Sequence, residues 1–347
     1  MRNEKTCHCE GRNFGPKQSP SKEIASSSRF AGLLAMTTIM VMLFLFTESA
    51  SALWIWTPQT KKWENPKNAP KDTPKAQFEF AMGFFNKSNY GKAQDEFKRL
   101  LKSYPKSEFA PEAQYYVGLC YQKLENYYEA FKAYQKVIET YPYSERVDQI
   151  ISEQYNIGKI FYDGYKSKIL GMAIVPSIDK AIEVFSKIVE NSAYGKFADS
   201  AQYYLGLSYK KELQYKEAIE AFQKLLDEYP QSKLAEEAKF QIGQCYMKAA
   251  PKPGYDQANT EESIKEFKEL IQTSPEGDKS QEAVKILDKL KEQKAESIFS
   301  TAKFYERIGR PASAQLYYKQ ILDEYPRTSW AAKSLERLEI LKNKGKI

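Results

Sequence analysis

From Ala76 onward, small, aromatic and aliphatic residues recur in one register that predicts pairs of amphipathic helices. The clearest marks are Tyr104-Pro105, Tyr141-Pro142, Tyr229-Pro230 and Tyr325-Pro326, with Ser274-Pro275 as a weaker copy. Twelve residues before each proline stands Ala93, Ala130, Ala218, Ala314 or, in the weaker copy, Ser263; eight before it stands Phe97, Tyr134, Phe222, Tyr318 or Phe267. The small residue lets two helices approach, the aromatic fills the space beside it, and the proline ends the second helix. The preceding helices carry matching marks on one face: Gln114, Val117, Gly118 and Tyr121; Gln202, Leu205, Gly206 and Tyr209; Lys239, Ile242, Gly243 and Tyr246. The same offsets give Phe80, Ala81 and Phe84 in the first copy and Ala302 and Tyr305 in the last. One irregular copy has Ile157, Gly158 and Phe161, then Ala181 and Phe185, and no closing proline.

These marks match the tetratricopeptide pattern, and they predict an all-α solenoid of about six helix pairs plus one additional helix. The solenoid is expected over residues 76–342, with an N-terminal part at 76–193 and a C-terminal part at 194–342. Three stretches depart from regular spacing. Tyr162 to Asp179 separates the helices of the irregular copy and contains Ile169, Leu170, Met172, Ala173, Ile174 and Val175, an apolar loop that either covers its own repeat or docks a partner. Met247 to Thr260, with Pro251, Pro253 and Gly254, reads as a long turn. Lys279 to Lys294 places Ala283, Ile286, Leu287 and Leu290 at helical spacing, an additional amphipathic helix that buries its stripe on its neighbours.

Upstream of the repeats, Phe30 to Phe46 is free of charge, follows Arg2, Lys5, Arg12, Lys17, Lys22 and Arg29, and precedes Ala50-Ser51-Ala52. Residues 1–52 read as a secretory signal peptide, or, uncleaved, as an N-terminal anchor with Trp54 and Trp56 at a membrane interface. Either way the chain is exported. Residues 53–75 hold Trp54, Trp56 and Trp63 among Pro58, Pro66, Pro70 and Pro74, which predicts an extended strap that caps the first repeat or docks to a partner or membrane surface.

Composition removes most chemistry. The 347 residues include a single histidine, His8, which lies in the leader, and no glycine-rich phosphate loop or paired acid and base is evident. No enzymatic activity, cofactor or metal is expected; Cys7-His8-Cys9 is too tightly packed for a structural zinc site. Cys120 and Cys245 occupy the same repeat position in distant copies and read as small buried hydrophobes rather than a disulfide. The formal charge of +7, from 52 basic and 45 acidic residues interspersed along the chain, argues against nucleic-acid binding. A solenoid of helix pairs offers a concave surface, so the expected work is holding other polypeptides.

The stretch YPKSEFAPEAQYYVGLCYQKLENYYEAFKAYQKVIETYP from Tyr104 to Pro142, the break in the irregular repeat, and the closing KILDKLKEQKAESIFSTAKFYERIGRPASAQLYYKQILDEYP resemble the BamD family, tetratricopeptide lipoproteins of the outer-membrane β-barrel assembly machinery. The resemblance runs from about Ala76 to Leu341. It implies a periplasmic scaffold at the outer membrane that docks to the BamA-like barrel subunit and other assembly-machinery proteins and receives unfolded outer-membrane protein segments. On that resemblance Phe80, Phe84, Tyr90, Tyr116 and Tyr121 would line the substrate groove, and Tyr305, Arg307 and Arg310 would face the assembly partner. The family anchors through a lipidated cysteine, and no cysteine follows the apolar run at a cleavage point, so association would go through the partner or the N-terminal segment. The alternative is a periplasmic Tol-Pal-associated tetratricopeptide coordinator or a general envelope scaffold; the former should carry a coiled coil, for which residues 53–75 are too short and proline-rich.

Overall fold

The computed structural model describes residues 55–57, 62–64, 69–165, 168–169, 172–173, 178–250 and 258–345. Contacts divide the chain at Ala69/Pro70 into two units. In the first, β1 (Ile55–Thr57) pairs antiparallel with β2 (Lys62–Glu64) and sets Trp56 opposite Trp63. The two indoles meet edge-on, with centroids 6.1 Å apart, a favoured geometry for a cross-strand aromatic pair. The extended strap expected as far as Lys75 ends sooner. Thr73 caps helix α1 (Pro74–Asn86), its Oγ1 accepting from the Ala76 N–H, and Pro74 takes the first helical position, where its fixed φ and missing donor cost nothing.

The second unit consists of helix pairs. Helix α1 pairs with α2 (Tyr90–Ser103), α3 (Ala110–Lys123) with α4 (Tyr127–Thr140), α5 (Val147–Tyr162) with α6 (Ile178–Asn191), and α7 (Ala198–Lys211) with α8 (Tyr215–Glu228). Next come α9 (Ala235–Ala249) with α10 (Ala258–Thr273), then α11 (Ser280–Arg307) with α12 (Pro311–Glu324), and α13 (Ser329–Asn343) closes the array. The repeat register supplies the glue. Ala93, Ala130, Ala181, Ala218, Ser263 and Ala314 are fully buried, as are Phe97, Tyr134, Phe185, Phe222, Phe267 and Tyr318. Four glycines of the first helices sit under those rings: a Cβ on Gly118, Gly158, Gly206 or Gly243 would lie 2.5, 2.8, 2.6 or 2.9 Å from the ring of Tyr134, Phe185, Phe222 or Phe267. The first and last copies place buried Ala81 and Ala302 there instead.

Polar groups repeat with the same period. Gln77, Gln114 and Gln202 donate from Nε2 to the backbone carbonyls of Glu96, Ala133 and Ala221, each 19 residues on, and so tie first helix to second at 2.8–3.1 Å. In the fifth pair Lys239 stands at that position, and the Ser263 hydroxyl makes the tie by donating to the Gly243 carbonyl at 2.8 Å. The turn inside a pair uses a left-handed residue: Ser88, Glu125, Gly164, Leu213 or Gly309, with φ from 57° to 94°. Between pairs, the tyrosines that end three of the second helices reach back about one repeat length. Tyr104, Tyr141 and Tyr229 donate to the carbonyls of Lys71, Pro105 and Ala193 at 2.6, 3.4 and 2.8 Å.

The irregular stretches differ from expectation in detail. Between α5 and α6, β3 (Lys168–Ile169) pairs antiparallel with β4 (Met172–Ala173); their side chains, with Leu170, Ile174 and Val175, lie outside the described residues. Of the turn expected over Met247 to Thr260, residues 251–257 lie outside the described residues; α9 runs to Ala249 and α10 starts at Ala258. The segment Lys279 to Lys294 is not a separate helix. It is the first half of the 28-residue α11, continuous with the first helix of the last repeat because neither glycine nor proline interrupts the chain before Gly309. The additional helix beyond six pairs is α13, at the other end of the last repeat. Among the described residues no helix is long and apolar enough to cross a membrane.

Candidate protein-binding surfaces

Helices α2 and α4 both pack on α3 and leave between them an open groove of about 530 Å³. Its floor is largely apolar: Leu101, Val117 and Ala133 lie beside Gln114, whose amide is spent on the Ala133 carbonyl. Its rims carry four lysines, Lys98 and Lys102 on α2 and Lys132 and Lys136 on α4, against one carboxylate, Glu129. Lys132 pairs with Glu129 at 2.5 Å, and that hydrogen bond raises its pKa. Lys98 donates to the Tyr121 hydroxyl at 2.9 Å and lies 4.7 Å from the centre of the same ring, so Tyr121 holds one rim lysine in place.

The other N-terminal aromatics separate into two groups. Phe80 and Phe84 meet edge-on, 5.0 Å apart, with Phe80 exposed and the Lys71 ammonium 4.2 Å over its ring. Tyr90 and Tyr116 are half-buried and both pack edge-on against the Phe85 ring, at 5.4 and 5.1 Å. Tyr116 also stacks on Phe97 at 5.2 Å, which makes it part of the first core cluster. The five residues therefore divide among a packed cluster, a pair with Phe80 exposed and Phe84 half-buried, and the lysine groove. Ile169 and Met172 face each other across the β3–β4 pairing, as backbone partners.

At the C-terminal end, Tyr305 stacks on Tyr317 at 5.3 Å and 11°. Arg307 and Arg310 are exposed at the turn between α11 and α12 and make no ion pair among the described residues. Around them Phe304, Ile308 and Leu316 are exposed, Leu316 by 68%. Sequence reasoning missed the support beneath this surface. Glu306 accepts from the Tyr318 hydroxyl at 3.0 Å and from Arg337 of α13. Burial raises its pKa, but these partners outweigh it and hold the carboxyl below its ordinary value. Cys120 and Cys245 are free and buried, and burial pushes their thiols up to about 12 and about 11, so they are inert hydrophobes as expected.

The family model of the YfiO outer membrane lipoproteins matches residues 175–345, and a tetratricopeptide-repeat model matches residues 78–145. The fold is a tetratricopeptide-repeat solenoid, and its C-terminal part carries a YfiO-like domain. No curated protein matches the chain. Similar solved structures include the C-terminal part of a tetratricopeptide-repeat protein from Cytophaga hutchinsonii, 17% identical over 88% of this chain and 98% of that one, with a TM-score of 0.35. A tetratricopeptide repeat protein from Parabacteroides merdae is 17% identical over 79% of this chain and 87% of its own, at 0.32. The protein MamA is 18% identical over 58% and 92%, at 0.33.

Proposed function

We propose that the chain is a non-enzymatic scaffold at the outer membrane that works in β-barrel protein assembly, as BamD-like proteins do. The carrying observation is the YfiO match over 175–345, which takes in the α11–α13 arrangement that generic repeats do not require. In this reading Tyr305, Arg307 and Arg310, with the exposed apolar residues around them, face a BamA-like barrel subunit. Phe80, Phe84, Tyr90, Tyr116 and Tyr121 belong to the N-terminal surface that receives unfolded outer-membrane protein segments, and the β3–β4 region with Ile169, Leu170, Met172 and Ile174 adds a second contact. The protein is periplasmic and is held at the membrane through its partner or its N-terminal segment.

The test is site-specific photo-crosslinking in intact envelopes. A photoreactive residue at Arg307 or Arg310 should give an adduct that mass spectrometry identifies as a barrel-assembly subunit, while the same residue at the exposed Lys216 of α8 should not. Absence of that subunit from the adducts at both arginines would sink the reading.

A further inference from the structure

We propose that the groove between α2 and α4 binds an acidic amphipathic segment of a partner protein, laid lengthwise with its carboxylates against both lysine rims. Charge is the first support. On α8 both lysines stand by carboxylates of their own helix, Lys216 by Glu220 and Lys224 by Glu228. The groove lysines are less well matched. Its one lining carboxylate, Glu129, is already taken by Lys132, and Glu139, next along α4, accepts from Gln135 at 3.1 Å. Lys102 and Lys136 are exposed and have no ion-pair partner among the described residues, and Lys98 has only the neutral Tyr121 hydroxyl.

Shape is the second support. Lys98 and Lys102, like Lys132 and Lys136, are four residues apart and so stand about 6 Å apart along one face of each helix. The ammoniums form two rows on two walls rather than one convergent cluster, which suits an elongated ligand carrying several carboxylates better than a single compact anion. Between the rows lies an apolar floor of Leu101, Val117 and Ala133, which an acidic segment would meet only if it also had an apolar stripe. Rim pairs of this kind act mainly through long-range attraction, so binding should be fast and salt-sensitive. The inference does not depend on a role in barrel assembly, because it is read out on a synthetic probe.

The probe is a fluorescein-labelled helical peptide with leucines on one face and glutamates flanking them, compared by anisotropy with a version in which every glutamate is glutamine. The full chain should bind the glutamate peptide, bind the glutamine peptide far more weakly, and lose affinity as salt is raised. Replacing Lys102→Glu and Lys136→Glu together should weaken the glutamate peptide about tenfold or more, since two attractions become repulsions. The control variant Lys216→Glu with Lys224→Glu, which changes net charge equally on α8, should leave affinity close to wild type. Equal binding of the two peptides, or equal loss in both variants, would overturn the proposal. So would failure to bind the peptide while phosphatidylglycerol vesicles bind in a manner lost with Lys102 and Lys136, because the ligand would then be a lipid headgroup. Circular dichroism checks that the exposed substitutions leave the helices intact.

Discussion

At the scale of single residues, the solenoid is held by a fit between nothing and something: a missing side chain under a ring. Gly206 places its backbone where a Cβ would sit 2.6 Å from Phe222, closer than real carbon contacts allow, and both rings and backbones around it are buried. Gly206→Ala should therefore destabilise the protein by about 1–3 kcal/mol through overpacking, although alanine is the better helix former. The control is Gly83, on an exposed face of α1 with nothing within 4 Å, where alanine should stabilise by about 0.5–1 kcal/mol. Chemical denaturation of the two variants checks the contrast; stabilisation by both would mean that the helix pair has room to relax. The glycine and aromatic positions were legible from spacing alone, because sterics allow few residue types there. The buried glutamines were less so. Gln114 and Gln202 are visible at a repeated position, but the carbonyls they bind lie 19 residues away across a turn, and nothing in the sequence names an acceptor in the backbone.

Elements meet through their ends as much as through their faces. Tyr229 closes α8 and donates to the Ala193 carbonyl of the preceding repeat at 2.8 Å, whereas Tyr141 makes the same reach to Pro105 at 3.4 Å. Tyr229→Phe keeps the ring and removes one hydrogen bond, so it should cost about 0.5–1.5 kcal/mol, and Tyr141→Phe distinctly less. Thermal unfolding of the pair decides this, and equal losses would assign the effect to the ring's surroundings instead of the hydroxyl. The tyrosine-proline dipeptide marks the end of four second helices, but not this second use of the tyrosine. Charge shows the same gap between chain and element. Basic and acidic residues look interspersed along the sequence, yet pairing helices brings Lys98 and Lys102 to the same groove as Lys132 and Lys136, which stand 34 residues further on. The surplus exists only once α2 and α4 share a neighbour.

For the whole molecule, α11 decides how far one end feels the other. Its first half belongs to the core cluster of Phe240, Phe267, Leu287 and Leu290, and its second half to the clusters around Ala295, Ile298, Ala302 and Tyr318. Apolar spacing over Lys279 to Lys294 predicts a helix there without fixing where it ends; the absence of any breaker up to Gly309 makes it one rod with the first helix of the last repeat. Near the join, Glu292 reaches across to α13, accepting from the Ser329 N–H at 2.7 Å and its hydroxyl at 2.9 Å. Helix α13 carries none of the glycine or proline marks of a repeat, so the repeat register does not reveal it. A proline at the exposed Glu296 would remove one backbone hydrogen bond and clash with the preceding turn, at a cost of about 3 kcal/mol or more. Since each repeat contacts only its neighbours, that cost should stay local. Hydrogen exchange of Glu296→Pro is expected to show protection lost in α12 and α13 and kept in α1 to α8, with α9 and α10 intermediate. Uniform loss along the chain would instead mean that the stack unfolds as one unit, and that α11 is a link no more important than the turns between other pairs.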